Sequence, residues 1–185
     1  SAPVKLPHLG QHNVLNATAA VAAVATLFPD FQAAEYAEAL SVANRVELRL
    51  ELIPLGSLTI INDAYNANPA SMQAAIETTR VLAAGKPFGC VLGDMFELGS
   101  ESAHFHRQLG ERVGRAAPNF LVALGNYAPQ VIEGAQSVGC TVGAVVDSPS
   151  AAVLAVREQP ELAYLLVKGS RGMKLERVVA ELLAG

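Results

Sequence analysis

Tryptophan is absent from the 185 residues, and cysteine is limited to Cys90 and Cys140. Two cysteines in apolar, strand-like settings make no disulfide framework, so both are expected to be reduced core residues. Charge is scarce. Only 16% of residues are Asp, Glu, Lys or Arg, the net charge is -4, and no run of Lys or Arg occurs. No electrostatic face for nucleic acid or an anionic membrane is therefore indicated. Long apolar runs are missing as well. The Ala-rich stretch from Asn13 to Phe28 is interrupted by Asn16, Thr18 and Thr26. It falls short of the roughly 20 apolar residues that a membrane helix needs. No basic segment leading into an apolar core opens the chain, so a secretory leader is not expected and a cytoplasmic location is.

Several chemical motifs are also lacking. There is no G-x-G-x-x-G, which argues against a classical nicotinamide oxidoreductase. There is no G-x-x-x-x-G-K-[ST]: Gly85-Lys86 is followed by Pro87 and sits at a helix-to-strand turn. A G-x-S-x-G elbow is missing. His8 and His12 show no metal-ligand spacing with cysteine, so no zinc site is expected.

What is present is a core. Apolar residues make up 51% of the chain, enough to fill one full domain and part of a second. Two helices are expected first, near 13–27 and 31–42, the former ended by Pro29. "VELRLELIPL" then alternates and "GSLTIIN" follows, which predicts a hairpin turned at Gly56-Ser57. Beyond it strands (58–62, 87–92, 119–124, 141–146, 162–168) alternate with helices (69–84, 101–116, 127–138, 148–157, 172–183). Such alternation implies an α/β, Rossmann-like, mostly parallel sheet with helices on both faces and one antiparallel strand. The two leading helices stand outside it, with a boundary near Ala43 to Arg45.

In an open parallel sheet, ligands bind beyond the carboxyl ends of the strands. Four strand exits turn abruptly polar: "DAYNANP" from Asp63, "GDMFELG" from Gly93, "GNYAP" from Gly125 and "KGSRGM" from Lys168. Each piece has two readings. Asn68-Pro69 is good helix-start chemistry. Asp63 suits a ribose diol, because a carboxylate accepts two hydroxyl hydrogen bonds, but it equally suits a loop satisfied by backbone amides. Tyr65 can stack on a ring or pack on the sheet edge. Gly93-Asp94 and Gly125-Asn126 also read as ordinary turns. Lys168, Ser170 and Arg171 form either an anion site or a solvated loop. His106, a lone histidine inside the helix after Gly99, reads as a surface or locally bonded residue. No nucleophile–base pair is evident, so no catalytic residue and no metal ligand is assigned within these residues.

Taken together, "HLGQHNVLNATAAVA", "NRVE", "NDAYNANPASMQAAI", "VLGDMFELGSES" and "LVKGSRGMKLERVV" resemble, in order, the C-terminal part of the Mur ligase family. Within it they resemble the branch that adds D-alanyl-D-alanine to UDP-N-acetylmuramoyl-tripeptide in peptidoglycan synthesis. The matches run from His8 to about Val179. The resemblance implies that residues 1–44 are the tail of a central ATPase domain and 45–185 the C-terminal Rossmann-like domain. It implies ATP and Mg2+ in the intact enzyme, neither held tightly by this fragment, and an acyl-phosphate intermediate. The phosphate loop, magnesium ligands and UDP-binding domain are expected upstream of Ser1, so this piece alone is expected to be inactive. Carried over, Asn13, Asn16, Arg45, Asp63, Tyr65 and Asn66 match ATP-side positions. Asn68, Asp94, His106, Lys168, Ser170 and Arg171 match positions facing the incoming dipeptide. A sister amide ligase such as a folylpolyglutamate synthetase, and a non-catalytic nucleotide- or peptide-binding module, stand as alternatives.

Overall fold

The computed structural model describes residues 3–7, 9–42 and 48–185. The chain divides into two compact units, Ser1–Val46 and Glu47–Gly185. The expected boundary at 43–45 falls outside the described residues.

The first unit holds helices α1 (Gln11–Leu27) and α2 (Ala33–Ser41). α1 stops where Pro29 forbids continuation, since proline disfavours a helical residue before it. α2 begins with a reciprocal cap: the Gln32 amide donates to Glu35 Oε2 at 2.7 Å. Val14, Leu15, Leu27, Phe28 and Phe31 are exposed.

The second unit is a six-stranded sheet of β1 (Glu51–Leu55), β2 (Leu58–Asp63), β3 (Phe88–Gly93), β4 (Phe120–Leu124), β5 (Gly143–Val146) and β6 (Tyr164–Lys168). Their order across the sheet is β1-β2-β6-β3-β4-β5. β1 pairs antiparallel with β2, and every other pair is parallel. The hairpin closes through Leu55↔Leu58, so Gly56-Ser57 is its turn, as the sequence predicts. Burial explains the strand compositions. β3 and β4 are buried at every position, and both read as continuous apolar runs. The edge strand β1 alternates between half-buried and exposed residues, and carries Pro54, which an edge tolerates.

Five helices cross the sheet: α3 (Pro69–Ala83), α4 (Ser102–Arg115), α5 (Ala128–Ser137), α6 (Pro149–Arg157) and α7 (Glu176–Leu183). α3, α4 and α5 lie along one face, α6 and α7 along the other. α3 buries Met72, Ala75, Ile76, Thr79 and Ala83, the spacing of one helical stripe. α4 and α5 touch backbone to backbone: a Cβ on Gly110 would lie 2.0 Å from the Val131 carbonyl oxygen. On the other face Ile60, Val91, Val122, Leu165 and Val167 pack under Val153, Val156, Val178 and Leu182. Truncating a fully buried leucine such as Leu166 to alanine costs about 2–5 kcal/mol.

The last helix departs from expectation. It was predicted from 172 but begins at Glu176, after a short 3-10 turn at Arg171–Met173. Lys174 adopts φ 52°, a left-handed value that a continuous helix cannot contain.

Candidate functional site

The parallel register sets Asp63, Lys168 and Leu92 side by side, and Gly93 beside Leu124. The four polar exits therefore emerge along one sheet edge. Their loops depart to opposite faces: those after β2, β3 and β4 lead to α3, α4 and α5, while those after β5 and β6 lead to α6 and α7. Crevices at such reversals are where open α/β sheets bind ligands. One, of about 690 Å³, lies between the β4 and β5 exits, lined by Gly125, Asn126, Val145, Val146, Asp147 and Ala151.

At the centre of the edge is a buried ion pair. Lys168 Nζ lies 2.6 Å from Asp63 Oδ2 and donates to the Asn66 carbonyl at 2.9 Å. Lys168 is 2% exposed and Asp63 is 8% exposed. Burial pushes the lysine's pKa below its ordinary value; the Asp63 carboxylate opposes the shift and the Arg49 charge adds to it. The other carboxylate oxygen, Oδ1, accepts the Leu50 amide at 3.2 Å. Asp63 thus ties β2 to β6 and to the chain entering β1.

A second buried group ties the β3, β4 and β6 exits together. Asp94 Oδ2 accepts the Asn126 amide at 2.7 Å, and Oδ1 accepts the Tyr127 amide at 3.0 Å. That approach demands glycine at 125: its φ is +120°, and a Cβ there would sit 2.4 Å from Asp94 Cγ. His106 is fully buried. Its Nε2 accepts the Met95 amide at 2.9 Å, which places the ring proton on Nδ1, 2.6 Å from the Ser102 carbonyl. The imidazole stacks on Tyr127 with centroids 4.7 Å apart, and Nε2 lies 3.7 Å from Asp94. Ser170 Oγ accepts the Phe96 amide at 2.8 Å, while the Ser170 amide donates to the Asp94 carbonyl at 2.9 Å.

The sequence-predicted residues therefore fall into groups. Asp63, Asp94, His106, Lys168 and Ser170 form the buried frame of the edge. Tyr65, Asn66, Asn68 and Arg171 lie on its surface. Asn68 caps α3, its Oδ1 accepting the Ser71 amide at 2.8 Å. Asn66 Oδ1 accepts the Ala67 amide at 2.8 Å. Arg171 pairs with Glu176 at 3.2 Å. Tyr65 is 44% exposed, with the Arg49 guanidinium carbon 4.5 Å from its ring centroid. Asn13 and Asn16 belong to the first unit, where Asn13 donates to the Leu9 carbonyl at 2.6 Å. Arg45 lies outside the described residues.

Sequence reasoning missed Arg49, Tyr127 and Phe96. Phe96 is 45% exposed and its ring covers Gly172 so closely that a Cβ there would meet it at 2.5 Å. An aromatic inside a polar exit loop was the available signal. Chemically, the surface offers an aromatic face, a cation and amide groups. Both central carboxylates are engaged within the frame. Among the described residues no cluster of three His, Cys, Asp or Glu side chains is placed to hold a metal ion.

Residues 48–171 match the family model described as "Mur ligase, glutamate ligase domain". The chain is 38% identical over 182 residues to the UDP-N-acetylmuramoyl-tripeptide--D-alanyl-D-alanine ligase of Bacillus subtilis, covering 96% of this chain and 39% of that protein. Among solved structures, MurF from Acinetobacter baumannii superposes with TM-score 0.83 at 33% identity, over 98% of this chain and 40% of that one. MurF from Thermotoga maritima, crystallised in complex with ADP, gives TM-score 0.77 at 25% identity, over 97% and 40%. The chain thus spans about two fifths of the length of the curated relatives it matches.

Proposed function

The chain belongs to the Mur ligase family, and from that premise we propose that it is the C-terminal part of an ATP-dependent ligase that joins D-alanyl-D-alanine to UDP-N-acetylmuramoyl-tripeptide. The observation that carries this is the Asp63–Asn68 turn, the branch's signature, standing on the same sheet edge as the "GDMFELG" and "KGSRGM" loops. Residues 1–44 are then the tail of the central ATPase domain and 45–185 the closing domain. The exposed apolar side chains of α1 would be covered by upstream sequence that the relatives carry.

In the reaction, the terminal carboxylate of the tripeptide attacks the γ-phosphorus of ATP and ADP departs. The dipeptide amine then attacks the acyl phosphate. The tetrahedral intermediate loses a proton and expels phosphate, leaving the new amide. Positioning and charge neutralisation supply most of such catalysis. This domain contributes by closing on the nucleotide. Tyr65 and Asn66 face it, Arg45 is assigned to the nucleotide side by the family resemblance alone, and Asp63 shares its carboxylate between the ribose hydroxyls and Lys168. Asn13 and Asn16, in the first unit, match the family's adenine-contacting positions. Asn68 and Arg171 face the dipeptide, and Asp94, His106, Lys168 and Ser170 hold the loops that do so. Mg2+ would travel with the phosphates and be held by residues outside this chain. The intact protein would work in the cytoplasm.

The test is phosphate release from ATP by the chain extended at its N-terminus to the length of its relatives. UDP-muramoyl tripeptide is supplied, with and without D-Ala-D-Ala. Release that requires the dipeptide, weakens in Asp63→Ala and vanishes in the 185-residue piece is expected. Release indifferent to the dipeptide would sink the proposal and favour a sister ligase or a binding module.

A further inference from the structure

Phe96 puts an apolar ring on a polar sheet edge. One exposed apolar side chain is ordinary; what distinguishes Phe96 is how firmly the edge holds it outward. Its amide donates to Ser170 Oγ at 2.8 Å, and the same hydroxyl donates to the Ala67 carbonyl at 3.5 Å. The loop after β3 is therefore tied, at this residue, to the β6 exit and to the Asp63–Asn68 turn. The next residue, Glu97, turns away with φ 64°, a left-handed value that glutamate adopts only where its surroundings impose it. Beneath the ring lies Gly172, and no larger residue fits, since a Cβ there would meet Phe96 Cε2 at 2.5 Å and Cδ2 at 3.4 Å. The ring thus rests against the backbone of the turn at Arg171–Met173, while 45% of the residue stays open to solvent.

Tyr65 is the other exposed aromatic of the four exit loops, and the Arg49 guanidinium already lies over its ring. Phe96 has no cation and no second ring against it among the described residues. Its neighbour across the turn, Arg171, is exposed and meets Glu176 through one nitrogen at 3.2 Å, which leaves donors of its fork for a second anion. An arginine fork suits a carboxylate. In a dipeptide ending in alanine, the carboxylate and the terminal methyl share one carbon. A carboxylate on Arg171 therefore brings that methyl beside residue 172, where the Phe96 ring lies. A nucleotide phosphate bound at the same cation would have no apolar group to offer the ring.

We infer that Phe96 is a specificity-determining residue for the incoming dipeptide, its ring receiving the methyl of the dipeptide's carboxyl-terminal residue while Arg171 takes the adjoining carboxylate. The inference rests on the ligase reading above. It adds a residue that neither the signature turn nor the family resemblance assigns.

The experiment uses the full-length ligase as the parent, Phe96→Ala and Phe96→Leu. Each is given D-Ala-D-Ala, D-Ala-Gly, which lacks the terminal methyl, or Gly-D-Ala, which lacks the other one. kcat/KM for each dipeptide, KM for ATP and the melting temperature are measured. One methyl on an apolar surface predicts that the parent prefers D-Ala-D-Ala over D-Ala-Gly by about 4-fold or more. That preference falls to near unity in Phe96→Ala and is partly kept in Phe96→Leu. The preference over Gly-D-Ala, KM for ATP and the melting temperature stay at the parent's values. An unchanged ratio of D-Ala-D-Ala to D-Ala-Gly in Phe96→Ala overturns the inference. So does an equal loss on all the dipeptides with a lowered melting temperature, which would reduce the ring to a clamp on the turn. A rise confined to KM for ATP overturns it as well, by assigning the ring to the nucleotide. Should Phe96→Ala fold poorly, the ratio in Phe96→Leu decides. A parent whose phosphate release ignores the dipeptide refutes the ligase reading and this inference with it, whereas a dipeptide-dependent parent with an unmoved ratio refutes the role of Phe96 alone.

Discussion

Replacing Lys168 with methionine would strip the buried Asp63 carboxylate of its cation while keeping the side chain's length. The pair is 2.6 Å apart and Lys168 is 2% exposed, so water cannot take over the missing charge without opening the edge. Breaking a buried pair from one side costs about 3–5 kcal/mol, because one charge remains uncompensated. Asp63→Asn should cost a similar amount, since the ammonium keeps only the Asn66 carbonyl among its described partners and the Leu50 amide faces a weaker acceptor. Removing both together should cost much less than the sum, giving a coupling energy of about 2 kcal/mol or more. Urea denaturation of the four proteins at neutral pH, read as midpoints at constant m-value, measures this cycle. The pH dependence has a definite sign. Burial sets the lysine's folded pKa below its ordinary value of 10.5. Between that lowered value and 10.5 the unfolded chain binds more protons than the native one. Stability due to this residue therefore rises with pH across the window and is lost as pH falls through the lowered value. Lys168→Met should abolish that slope. Additive single changes, or single changes within about 0.5 kcal/mol of the parent, would refute the claim that this pair holds the edge together.

Gly125→Ala should destabilise by about 2–4 kcal/mol, through positive φ and the clash with Asp94, in a thermal melt; a loss under 1 kcal/mol would show that Asp94 moves aside freely. His106→Phe keeps the stack on Tyr127 but leaves the Met95 amide and Ser102 carbonyl unpaired, at about 1–3 kcal/mol each. The Met95 amide should then exchange with deuterium faster than its neighbours in β3, and unchanged exchange would contradict the assigned bond. Asn68→Ala should cost about 1 kcal/mol as a lost helix cap. A cost of that size with no change in KM for the dipeptide would confine Asn68 to capping. Burial pushes the Cys90 thiol up to about 12. In native protein at neutral pH a disulfide reagent should modify Cys140 alone, and two equal rates would argue that β3 opens readily.

Periodicity made the alternation of strands and helices legible, because β3 and β4 are apolar throughout and α3 keeps its buried stripe. The abrupt polar exits likewise marked the edge where the site lies. What remained hidden depends on long-range packing. The insertion of β6 between β2 and β3 has no local signature. Lys168 read as part of a solvated or anion-binding loop, yet it is turned inward onto Asp63, since nothing at position 168 announces a partner at 63. His106 read as a surface or locally bonded histidine; its bond to Ser102 is local, but its burial against Tyr127 comes from the β4 exit. The left-handed backbone of Leu48 (φ 60°) and Leu50 (φ 48°) was illegible in principle. Leucine does not favour that conformation, and only the hydrogen bonds from Tyr65 and to Asp63 require it.

The position of β6 has a consequence for biosynthesis. β2 and β3 flank it and do not pair with each other, yet β6 is the last of the sheet's six strands to be translated. A nascent chain can assemble β3, β4 and β5 with their helices, and separately the β1–β2 hairpin. These halves stay apart until residues 164–168 leave the ribosome. During that interval the facing edges of β2 and β3 expose unpaired backbone groups, an invitation to association between chains. Ribosomes following one another on a message would carry many such half-sheets, so this segment's yield in the cell should depend on chaperone capacity and elongation speed more than its final stability suggests.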